Sequence, residues 1–104
     1  MKYAASFASG RLMIYLSGEL DHHAAGEAIR VISELIEDNM PRECILEFSG
    51  LSFMDSSGIA VIINAGRKMK SLGGKLSVEN PAPQARKVLE ASGIDRLITA
   101  ASNT

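Results

Sequence analysis

The chain has 104 residues, enough to bury one core without disulfide staples and too few for two ordinary domains, so residues 1–104 read as a single domain. Apolar residues make up 46% and charged residues 22%, as in ordinary globular proteins, and 11 basic against 12 acidic residues leave a net charge of −1. That balance gives no bulk pull toward nucleic acid or an anionic membrane, and a chain without tryptophan and with 5% aromatic residues has little to stack on bases.

The first residues, Met1 to Phe7, lack the continuous apolar core of a signal peptide, and no window reaches the ~18 apolar residues that span a bilayer. A cytoplasmic protein is expected. Tyr3 to Ala8 and Arg11 to Ser17 read as two strands joined by Ser9-Gly10, a two-residue hairpin signal. In the second, Leu12, Ile14 and Leu16 alternate with Arg11, Met13, Tyr15 and Ser17, so one face looks inward. After the turn segment Gly18 to His23 the period changes. Ala25, Ala28, Ile29, Ile32, Leu35 and Ile36 fall at helical spacing opposite Glu27, Arg30, Glu34 and Glu37, with Asp21 as the expected N-cap and Pro41 as the stop.

Cys44 to Phe48 is a short apolar run, expected as a central strand parallel to a neighbour. Its cysteine is the only one, which excludes an internal disulfide and a cysteine metal cluster and fits a reducing compartment. A second helix is expected from Ser57 to about Leu72, ended by Gly73-Gly74. Lys75 to Glu79 alternates as an outer strand, and Asn80-Pro81-Ala82-Pro83 opens a third helix that Gly93 closes. Ile94 to Thr99 is left as a short strand or turn. The order ββαβαβα, with one further short element, predicts an α/β domain with a mixed four- to five-stranded sheet and helices mainly on one face.

The segment Leu51-Ser52-Phe53-Met54-Asp55-Ser56-Ser57-Gly58-Ile59-Ala60 carries the strongest functional signal. An apolar run ends in an acid, two hydroxyls and a glycine, and an apolar helix follows. Such a junction delivers a serine to the first turn of a helix, where the dipole and free N–H groups favour an anion such as a phosphate on Ser57. Asp and Ser are also ordinary capping residues, so a purely structural cap explains the same letters. No capping-box Glu or Gln follows either serine, and Ile59 to Ile63 is apolar on nearly every side, which leaves surface for a partner.

The segment resembles the phosphorylation site of the bacterial anti-sigma-factor antagonists, members of the STAS domain family. A second stretch, Gly18-Glu19-Leu20-Asp21-His22-His23, is similar to the sporulation-type antagonists. The resemblance runs from the first hairpin to Gly93-Ile94. It implies Ser57 as phosphoacceptor, Asp55 and Ser56 as adjoining residues of the same site, and Asp21 on the partner surface, with Gly58 and Ile59 completing it. It also implies a protein that is a substrate and a binder but no enzyme. Unphosphorylated, it would dock onto an anti-sigma factor that is also a serine kinase and release the sigma factor. Phosphate on Ser57 would switch that binding off, and a metal-dependent serine phosphatase would restore it. Nucleic acid and membrane are not expected as partners. The family usually adds a C-terminal helix, whereas six residues follow Ile98 here, so the last element is short or the sequence stops before it.

Other chemistries are weaker. Adjacent histidines do not share a helix face and no third ligand is in view, so no metal is expected at His22 and His23. Ser57 lacks the Gly-x-Ser-x-Gly elbow of a hydrolase. Gly66-Arg67-Lys68 and Gly73-Gly74-Lys75 lack a phosphate-loop pattern, so no cofactor is expected, although weak nucleotide binding at the Ser57 helix stays open. The basic clusters Arg67-Lys68-Met69-Lys70 and Arg86-Lys87 read as solvated helix faces. The alternative to the switch is a nucleotide- or small-ligand-binding STAS module, such as a subunit associated with a transporter.

Overall fold

The computed structural model describes residues 1–94 and a last strand at 99–101. Its elements are β1 (Lys2–Ala8), β2 (Arg11–Leu20), α1 (His22–Asn39), β3 (Glu43–Met54), α2 (Ser56–Ser71), β4 (Lys75–Glu79), α3 (Pro83–Ser92) and β5 (Thr99–Ala101). The sheet is five-stranded in the order β1-β2-β3-β4-β5, antiparallel between β1 and β2 and parallel thereafter. The expected α/β class, the mixed sheet and every helix are borne out.

Each βαβ step moves one strand along the sheet in the same direction. Right-handed crossovers therefore place all three helices on one face. There Leu12, Ile14 and Leu16 of β2 and Cys44, Leu46 and Phe48 of β3 pack with Ala28, Ile32 and Ile36 of α1, Val61, Ile62, Ala65 and Met69 of α2, and Ala85 and Leu89 of α3. Cys44 is fully buried, and burial pushes its thiol up to about 12, so it behaves as a small apolar side chain.

The hairpin turn is as expected. Ser9 and Gly10 both have positive φ, 53° and 78°, the two-residue conformation whose twist matches the flanking strands. Gly93 closes α3 with φ 71°. Residues 95–98, within the stretch expected as a short strand or turn, and residues 102–104 lie outside the described residues.

Two strand ends differ from the sequence reading. β2 runs through Gly18 and Glu19 to Leu20, and β3 runs past Phe48 to Met54. Turn-forming residues are absorbed there because the parallel pairing tolerates irregularities, with register shifts between Tyr15 and Ser17 and between Gly18 and Glu19. Gly50 belongs to this kink: a Cβ on it would lie 2.8 Å from Ser17 Oγ and 3.0 Å from the Leu16 carbonyl. The extensions matter because they carry the candidate site.

Candidate functional site

Leu20 and Met54, the last residues of β2 and β3, are partners in the parallel register. Each is followed at once by an aspartate that caps a helix. Asp21 sits at φ −109°, ψ −172° and Asp55 at φ −109°, ψ −170°, so the two junctions are near copies of each other. Asp21 Oδ1 accepts from the His23 and Ala24 N–H groups, both at 3.0 Å. Asp55 Oδ1 accepts from the Ser57 N–H at 2.8 Å, and its own N–H donates to the Leu20 carbonyl at 3.3 Å. Two helix N-termini therefore stand side by side at the carboxyl edge of the sheet, each carrying a capping carboxylate.

The Gly18 to His23 stretch and the serine turn share the carboxyl edge of the sheet, because β2 and β3 are parallel and end in register. Asp55 to Ile59 are contiguous, and the register brings Asp21 beside them. Asp21, Asp55, Ser57 and Ile59 are half-buried and Ser56 is exposed. Helix α2 starts at Ser56, one residue earlier than the pattern predicts, which puts Ser57 in the second helical position. Among the described residues nothing hydrogen-bonds the Ser57 hydroxyl. Its N–H is held by Asp55 and that of Gly58 donates to the Asp55 carbonyl at 3.0 Å, so these two donors of the first turn are already engaged.

The resemblance puts Gly58 on the partner surface, yet it is buried. A Cβ there would fall 2.4 Å from Met54 Cγ, 2.7 Å from its sulfur and 3.2 Å from Leu20 Cδ2. The glycine is needed because the last side chains of both strands fold under the first turn of α2. That close approach fixes Ser57 at the rim.

Two residues of the region escaped the sequence reading. Gln84 of α3 accepts from the Met54 N–H through Oε1 and donates to the Met54 carbonyl through Nε2, both at 2.8 Å. Strand β4 stops pairing at Glu79 opposite Glu47, so the end of β3 has no neighbour on that side, and the Gln84 amide supplies the missing strand contact. No sequence signal points to it, since 30 residues separate the partners. Phe53, opposite Glu19 in the register, is 40% exposed beside the turn. Its aromatic character amid Ser52, Asp55 and Ser56 was the available clue.

On the α1 side a shallow pocket of about 440 Å³ is lined by Met1, Glu19, Asp21, His23, Ala24 and Glu27. Three of these, Glu19, Asp21 and Glu27, are carboxylates. The exposed rings of His22 and His23 meet edge to face with centroids 5.7 Å apart. Among the described residues no group of three or more His, Cys, Asp or Glu side chains could hold a metal ion, and no helix is long and apolar enough to cross a membrane.

Comparison with known proteins agrees with this architecture. Residues 3–104 match the STAS domain. An anti-sigma F factor antagonist of Lysinibacillus sphaericus is 39% identical over 83 residues, covering 80% of this chain and 71% of the relative. The solved anti-sigma factor antagonist SpoIIAA in its unphosphorylated form superposes with a TM-score of 0.81 at 32% identity, over 98% of this chain and 90% of that one. The Bacillus cell fate determinant SpoIIAA in its phosphorylated form gives 0.72 at 32% identity, over 98% and 93%. The chain belongs to the STAS domain family, and its relatives there include anti-sigma F factor antagonists.

Proposed function

We propose that this protein is an anti-sigma-factor antagonist whose binding is switched by phosphorylation of Ser57. The observation that carries the reading is the position of Ser57: second in a helix, its hydroxyl uncommitted, at an edge where two strand-to-helix junctions meet. That a homologue has been solved in both an unphosphorylated and a phosphorylated form supports it. The unphosphorylated protein docks through Asp21, Asp55, Ser56 and the first turn of α2 onto an anti-sigma factor that is a serine kinase, freeing the sigma factor. It acts as substrate and binder rather than as an enzyme, in the cytoplasm and in a sporulation circuit, and a metal-dependent serine phosphatase reverses the mark.

The switch works by charge. A phosphate adds about −1.5 to −2 units at pH 7. Asp55 and Asp21 already place two carboxylates at this edge, so the phosphorylated surface repels acidic partner groups and resists desolvation. A loss of about 3–4 kcal/mol corresponds to two to three decades in Kd, enough to release a partner.

The test is incubation with ATP, magnesium and an anti-sigma kinase of the sporulation type, followed by intact mass and peptide mapping. One phosphate on Ser57, absent from Ser57→Ala, and tight kinase binding only by the unphosphorylated form are the expected results. No phosphate, from a kinase active on its own antagonist, would sink the reading and leave Ser57 as a helix residue beside a cap.

A further inference from the structure

The outer edge of β1 is uncapped. Among the described strands Lys2–Ala8 pairs only with β2, and six of its seven residues are exposed. Among the described residues no other backbone group bonds to it. Natural edge strands are usually blunted by charge, proline or a bulge; this one has a lysine only at its first position, Lys2, and no charged residue or proline from Tyr3 to Gly10. Along the same edge, between β1 and α1, runs a groove of about 270 Å³ lined by apolar residues, Tyr3, Ala5, Val31 and Leu35 among them, and by the carboxylates Glu34 and Asp38 of α1.

The sequence of this edge is self-complementary about Ala5. Register with β2 places Tyr3 opposite Leu16, Ala5 opposite Ile14 and Phe7 opposite Leu12, so these three side chains share the helix-bearing face. An antiparallel copy with its two-fold axis at Ala5 sets Tyr3 against Phe7 of the other copy, twice, with Ala5 facing Ala5 between them. Cross-strand aromatic pairs are among the favourable sheet contacts. The alanines leave room for the rings, and Phe7, 43% exposed in the single chain, gains a partner. At the ends Lys2 meets Ala8, so no like charges stand opposite each other. The occupant that fits this edge is therefore a second copy of the chain.

We propose that the protein forms a two-fold dimer through β1, joining two five-stranded sheets into one continuous sheet. The contact is small, in the class of transient interfaces below about 1,200 Å², so the dimer is concentration-dependent. Lys2 lies beside Ser17, toward the carboxyl end of β2, and Ala8 beside Arg11, at its start. The two-fold axis consequently sends the two Ser57 turns to opposite ends, where each stays accessible. The dimer is independent of phosphorylation and stands or falls separately from it.

Sedimentation of the full chain from micromolar to millimolar concentration tests this, with the expected mass rising toward that of two chains. Ala5→Lys sets two ammonium groups face to face on the axis and should hold the protein monomeric throughout, with circular dichroism and Tm reporting that it stays folded. Ala5→Cys should form an intermolecular cross-link with a short bis-maleimide, because directly opposite Cβ atoms lie about 4.5–5.5 Å apart, within reach of the reagent. The wild type, whose Cys44 is buried, should form none. A chain that is monomeric at every concentration overturns the proposal, as does a dimer that Ala5→Lys leaves intact or that Ala5→Cys does not cross-link.

Discussion

Asp55 has two duties that pull in opposite directions. It caps α2 by accepting from the Ser57 N–H, and it is a negative charge beside the hydroxyl that would carry a phosphate. Asp55→Ala should lower stability by about 1 kcal/mol in urea unfolding, the usual worth of a cap. Gly58 is constrained from within rather than by a partner. Its neighbour Met54 is fully buried, so the Cγ and sulfur that a new methyl would meet must shift within the core, and Gly58→Ala should cost about 1–3 kcal/mol as an overpacked site. Combined with Met54→Ala, the loss should be less than the sum of the two single losses, because the shortened side chain vacates the space the new methyl needs. A double-mutant cycle by denaturant titration measures that difference.

At the scale of elements, α3 holds the end of β3 through one side chain. Gln84→Ala frees both backbone groups of Met54 and should cost about 1 kcal/mol. Its signature is faster amide exchange at Met54 and in the turn that follows, with exchange in the core of α2 unchanged. Between β3 and β4 a second polar tie fixes the sheet face that carries no helix. Glu47 is buried there, and burial by itself raises its pKa. Hydrogen bonds from Asn80 and from the hydroxyl and N–H of Ser49 outweigh that and hold the carboxyl below its ordinary 4.5. A folded pKa below the unfolded one gives stability that is full above about pH 4.5 and lost as pH falls through the folded value. Glu47→Gln should therefore flatten the acid limb of the stability profile, read as Tm against pH below 5.

For the molecule as a whole, phosphorylation should change binding without changing the fold. Ser57 stands at the rim of the sheet, outside the cluster of buried side chains, and the dipole of α2 offsets part of the added charge. Repulsion from Asp55 works against that, so the phosphorylated form should unfold within about 1 kcal/mol of the unmodified one. Amide shift changes should gather at the N-termini of α1 and α2. They should weaken as pH falls below the second phosphate pKa near 6, where the phosphate loses one of its two charges.

Much of this was legible in the chain. Alternation in Arg11 to Ser17, the 3.6-residue period after His23 and the turns at Ser9-Gly10 and Gly93 determined elements, because local propensity and burial act together over a few neighbouring residues. Asp21 was readable as a cap for the same reason, and the serine turn as the start of a helix. What tertiary structure alone decided lies where distant segments meet. The register Leu20 opposite Met54 joins the two capped junctions into one edge. The packing of Gly58 against Leu20 and the Gln84 bridge to Met54 join segments that the sequence holds 30 or more residues apart. β2 and β3 extend through residues with turn propensity because a parallel neighbour was there to bond them, and one chain's local preferences cannot encode that neighbour's presence.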